Sequence, residues 1–130
     1  MVGRLISEGE PYFRQLVSTG HIEVLFDEIE KGNVAAIRAS AIAAEFSDAS
    51  VSLALRFSLS RAIVYSPDAV MALIPEVFSV SDLCTIPYIE ASGEVESDHV
   101  KNALTALESV GYISDAHAGC IRIYKAIPVE

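Results

Sequence analysis

Basic residues are scarce in this chain. Nine lysines and arginines stand against eighteen aspartates and glutamates, a formal net charge of −9. A surface of that sign repels a nucleic-acid backbone or an anionic membrane, so neither is expected as a partner. Long apolar runs are missing too. A membrane-spanning helix needs about 18 consecutive apolar residues, and the longest candidate, Val34 to Phe46, is interrupted by Arg38, Ser40 and Glu45. The opening residues, MVGRLISEGEP, hold one arginine and no apolar core, so no signal peptide is expected in this chain. There are only two cysteines and no CxxC pair, and His117 with Cys120 makes two side chains, too few for a zinc site. Glycine-rich phosphate loops, GxSxG and HExxH are absent as well. On these grounds no enzyme, cofactor or metal is expected.

What the chain has in quantity is apolar material. Hydrophobic residues make up 52% of 130 residues and the mean hydropathy is +0.39, which excludes disorder. A chain of this length forms one domain, residues 1–130, and buries roughly two thirds of its unfolded surface. Charge is distributed unevenly. Residues 76 to 115 hold Glu76, Asp82, Glu90, Glu94, Glu96, Asp98, Glu108 and Asp115 against Lys101 alone, whereas residues 33 to 75 are balanced.

The hydrophobic pattern is helical. Ile22, Leu25, Phe26 and Ile29 share one face of a helix, Gly32 stops it and Asn33 caps the next. That next segment, VAAIRASAIAAEF, is apolar nearly all round and belongs among neighbours. Ser47 or Asp48 caps a third run, in which Val51, Leu53, Leu55, Phe57 and Leu59 alternate like a strand yet also form helical stripes; its length and neighbours favour a helix. Ser66, Pro67 and Asp68 read as a helix start, and Pro75 ends or kinks that helix near Ile74. Ser97 is expected to cap a helix with Val100, Ala103, Leu104, Leu107 and Val110 on its apolar face, stopped by Gly111. The segment from Ser114 reads as a final helix, although CIRIYKAI also suits a strand. Short connections imply antiparallel neighbours. The expected fold is all-α, a bundle or short solenoid-like stack of about six helices, with an irregular connection around 79–96.

The connection SDLCTIPYIEASGEVESDHV concentrates the chemistry. Cys84 and Cys120, separated by 36 positions, are either a bridge or two buried free thiols. His117 shares a helical face with Cys120, the residues a Cys/His hydrolase would use, but no third orienting group accompanies them. The cluster Glu94, Glu96, Asp98 and His99 lacks the order of a calcium loop. Its acids suit a helix start, and His99 is expected to be solvated. Glu90 either fixes its loop or is exposed for binding. Arg56 and Arg61 lie on a largely buried helix and need partners, Glu45 or an acid of the later region being expected.

The run LSRAIVYSPDAVMALIPEVFSVSDLCTIPYIE, then ALTALESV and Cys120, resembles a class of small, uncharacterised helical proteins of Gram-negative bacteria that carry signal peptides. Their shared feature is a C-x-x-P-[FY]-I-E turn with a second cysteine near the end. The resemblance covers about half of the chain. It implies a periplasmic or secreted setting, a Cys84–Cys120 bridge and structural roles for Pro87, Tyr88, Ile89 and Glu90. It implies no catalytic residue. The function expected from all this is non-enzymatic binding of another protein. One form is an inhibitor or immunity-type protein whose acidic surface, with Glu90, Glu94, Glu96 and Asp98 as candidate contacts, meets a basic partner. The alternative is a cytoplasmic helical-repeat adaptor with free thiols.

Overall fold

A computed structural model of the chain describes residues 1–88 and 93–128. Among these the fold is all-α, with no strand. The nine helices of the described residues are α1 (Val2–Glu8), α2 (Glu10–Thr19), α3 (Ile22–Glu30), α4 (Val34–Phe46), α5 (Ala49–Ala62), α6 (Pro67–Met71), α7 (Val80–Leu83), α8 (Gly93–Glu108) and α9 (Asp115–Ala126). The all-α expectation is met, with more and shorter pieces than six.

Local chemistry explains most boundaries. Asn33 Oδ1 accepts the Ala36 amide at 3.1 Å and Asp48 Oδ1 accepts the Val51 amide at 2.9 Å, each satisfying a first-turn N–H that has no partner within its helix. Gly32, at φ 86°, reverses the chain between α3 and α4; a Cβ there would lie 2.6 Å from Tyr65 Cβ, so the position needs glycine twice over. The strand-like alternation of residues 51 to 59 is folded as α5. Leu55 and Leu59 point into the core while Leu53 is exposed, the helical stripe prevailing over the two-residue period.

Three expectations need correction. Ser66 does not cap α6 with its side chain; its Oγ donates to Gly32 O at 2.6 Å and ties α6 to the α3–α4 turn. Ser97 is not an N-cap, because α8 already begins at Gly93 and Ser97 lies buried within it. Glu94 and Glu96 occupy the first turn, where the helix dipole favours negative charge. The connection around 79–96 is also less irregular than expected, since Ser79 and Asp82 form a reciprocal capping box around the short α7.

α3 packs on α5, α1 on α4 and α8 on α9, while α7 bridges α5 and α9. Their apolar faces merge into one core running from Leu5 to Tyr124. α4 contributes Ala36, Ile37, Ala39 and Ala43 to it, small residues that let neighbouring helices approach closely. Gly119, inside α9, sits against Val80, where an added Cβ would lie 3.5 Å from a methyl group. α7 and α9 are that close because Cys84 and Cys120 are joined in a disulfide, with Cα atoms 5.4 Å apart. No helix among the described residues is long and apolar enough to cross a membrane.

Candidate functional site

The backbone from Cys84 to Tyr88 belongs to no helix, so its carbonyls need partners from elsewhere. The disulfide anchors Cys84 to α9. Thr85 O, the next carbonyl, accepts both the Ser60 hydroxyl at 3.0 Å and the Tyr124 hydroxyl at 2.8 Å. Pro87 O accepts Arg61 Nη2 at 2.7 Å. Tyr124 lies one turn beyond Cys120, so a single face of α9 supplies both the covalent and the hydrogen-bonded anchor.

His99 completes this cluster. It is 5% exposed rather than solvated, which corrects the expectation. The Tyr124 phenol gives its proton to Thr85 O, so its oxygen accepts from His99 Nε2 at 3.1 Å. That fixes the tautomer with hydrogen on Nε2. Burial, with the positive Arg61 nearby, holds the His99 imidazole down at about 4 against an ordinary 6.5, outweighing the favourable Thr85 carbonyl. Burial also pushes the Tyr124 phenol up to about 12. Tyr88 and Tyr124 both meet the His99 ring edge to face, at centroid distances of 6.1 Å and 5.7 Å. Arg61 pairs with Glu30 and lies over the Tyr88 ring at 4.8 Å. Arg56 pairs with Asp82 at 3.3 Å. Only the Arg56 pair meets the expectation of Glu45 or a later acid; Arg61 turns to the earlier Glu30 on α3, and Glu45 takes no part in either pair.

A cleft of about 970 Å³ opens on the other side of α9. Its apolar wall is Met71, Ile74, Pro75 and Val80, and Tyr112 stands at it with 78% of its surface exposed. Three polar residues of this cleft are hydrogen-bonded in series. Ser114 Oγ lies 2.6 Å from His117 Nδ1, and His117 Nε2 lies 2.8 Å from Asp68 Oδ1. Ser114 is the N-cap of α9, with His117 in place of the usual glutamate in a capping box. His117 is 5% exposed, whereas the Asp68 side chain is 74% exposed.

Sequence reasoning placed His117 beside Cys120. The structure joins Cys120 to Cys84, so no thiol is left for that pairing, and His117 turns to Ser114 and Asp68 instead. Ser114 could have been found from its S-x-x-H spacing at a helix start; Asp68, on α6, could not.

The expected contact residues do not gather in one patch. Glu94 and Asp98 are exposed one turn apart on α8, and Asp98 borders a hollow of about 300 Å³ lined also by Arg61, Tyr88, His99 and Asn102. Glu96 turns to a smaller hollow beside Ile86 and Pro128. Ile89 and Glu90 lie outside the described residues. Among the described residues no group of three or more His, Cys, Asp and Glu side chains is placed to hold a metal.

The arrangement defines a class, an all-α domain closed by one disulfide between its last helix and an irregular connection. No protein-family model, no curated protein and no solved structure matches the chain.

Proposed function

We propose that this domain binds another protein, as an inhibitor or immunity-type protein whose acidic surface neutralises a basic partner, without chemistry of its own at that surface. The observation that carries this reading is uncompensated charge. Asp82 and Glu108 have basic partners in Arg56 and Lys125. Glu76, Glu94, Glu96, Asp98 and Asp115 have no ion pair among the described residues. A surface field of one sign, to which Glu94, Glu96 and Asp98 contribute from α8, steers an oppositely charged protein. The reading includes a periplasmic or secreted setting, which the buried disulfide supports because such bonds persist in oxidising compartments.

The test is a pulldown from cells of the source organism, repeated with the triple variant Glu94→Lys, Glu96→Lys, Asp98→Lys. The expected result is one captured basic protein whose binding weakens with salt and falls at least tenfold in the variant. Unchanged binding by the variant would remove α8 as the interface, and capture of no basic protein would remove the reading itself.

A further inference from the structure

We propose that Ser114, His117 and Asp68 form an acyl-transfer site that takes a carboxylic ester with an apolar acyl chain. This goes beyond the binding reading, and the cleft shares no lining residue with α8, the helix that the charge-reversal variant probes.

The proton positions follow from the hydrogen bonds. Ser114 Oγ accepts the His117 amide at 3.2 Å, and His117 Nδ1 accepts the Ser114 amide at 3.4 Å. His117 Nε2 keeps its hydrogen for the Asp68 carboxylate. The Ser114 hydroxyl hydrogen is therefore directed at Nδ1, an acceptor 2.6 Å away. A nucleophile within reach of a base, and a base oriented by a third group, are the geometric requirements of nucleophilic acyl transfer. All three residues line one cleft, whose wall of Met71, Ile74, Pro75 and Val80 offers an apolar acyl chain a surface to bury.

In the first step Ser114 Oγ attacks the ester carbonyl carbon while its proton passes to His117 Nδ1, and the carbonyl π pair moves onto oxygen. Asp68 stabilises the imidazolium through Nε2. The amides of Asp115 and Ala116, in the first turn of the twelve-residue α9, have no acceptor within the helix and are available to the oxyanion. Collapse of the intermediate breaks the bond to the alkoxy group, which leaves with the proton from Nδ1 as an alcohol. Water then attacks the acyl-serine, giving its proton to Nδ1, and the carboxylic acid departs as that proton returns to Ser114. The sum is ester plus water to acid plus alcohol.

The capping box is the competing role for the same hydroxyl, and a substitution separates the two. Aspartate caps a helix as well as serine does, so Ser114→Asp keeps α9 and removes the nucleophile. The experiment treats the full, disulfide-intact chain with a fluorophosphonate probe, maps the adduct by mass spectrometry, and follows hydrolysis of p-nitrophenyl butyrate. One adduct on Ser114 is expected, with fluoride expelled. Ser114→Asp should show none and hydrolyse no ester above background, with an unchanged thermal melt. Asp68→Asn should slow labelling at least tenfold with at most a small shift in the melt, given that general-base assistance is typically worth about 10²–10⁴ in rate. No adduct on folded wild-type protein, an adduct at another residue, or labelling unaffected by Asp68→Asn would overturn the proposal.

Discussion

His99 and His117 are buried to the same degree, each 5% exposed, yet they occupy opposite settings. His99 is closed in between Tyr88 and Tyr124, and its Nε2 hydrogen ends in a relay to the carbonyl of Thr85. His117 hangs at the wall of an open cleft, bonded to a carboxylate that is largely in water. The difference teaches that burial obliges an imidazole to find partners but does not assign it a task. Around His99 the partners themselves hold irregular backbone in place, so the cluster is a fastening. Around His117 the partners face solvent and remain open to a third molecule.

The largest effect should come from removing the fastening's covalent half. Replacing both Cys84 and Cys120 with serine frees a loop closed over 36 positions, and chain entropy puts the loss at about 4 kcal/mol. Denaturant unfolding of the variant measures this; a loss below about 1 kcal/mol would mean that the hydrogen bonds alone hold the connection.

Acid comes next, and it should act on the His99 side. His99 is neutral in the fold down to about pH 4, while the unfolded chain takes up a proton near 6.5. The unfolded state therefore binds more protons in this window. Stability from this group is complete above pH 6.5 and lost as pH falls towards 4, on the order of 3 kcal/mol in all. Denaturation midpoints from pH 7 to 4 should show that decline, and His99→Gln should flatten it. An equal slope in both proteins would place the acid sensitivity elsewhere.

Tyr124→Phe is gentler. It leaves the ring packed but takes one donor from Thr85 O and the acceptor from His99 Nε2. A cost of about 1–3 kcal/mol is expected from the buried group left unpaired, read as a shift in the denaturation midpoint with unchanged slope. Asp68→Asn should be smallest. Because the carboxylate is largely exposed, a stability change of about 0–1 kcal/mol is expected. A loss as large as that of Tyr124→Phe would make the two histidine sites equivalent and erase the contrast.

Much of the secondary structure was legible because helix signals are local. Asn33 and Asp48 cap where their side-chain chemistry says they should, and α5 keeps its helical stripe despite its strand-like alternation. Ser66 and Ser97 misled for different reasons: a hydroxyl that suits an N-cap suits another acceptor equally well, and a residue of capping type can also lie within a helix that starts earlier. Ser66 found Gly32 O across the fold, and Ser97 lies inside a longer helix. A helix start at Ser97 would leave His99 in a solvated first turn, but α8 begins at Gly93 and its turn carries His99 to the buried side.

The sequence by itself determined the all-helical class, the absence among the described residues of any helix fit to cross a membrane, and the excess of acid over base, all properties of spacing and composition. The tertiary structure alone decided which side chains receive the carbonyls of Thr85 and Pro87, and that Asp68 reaches His117 from a position 49 residues away. Those contacts depend on how α5, α6 and α9 meet around the shared core. Packing sets that meeting, and no local periodicity encodes it.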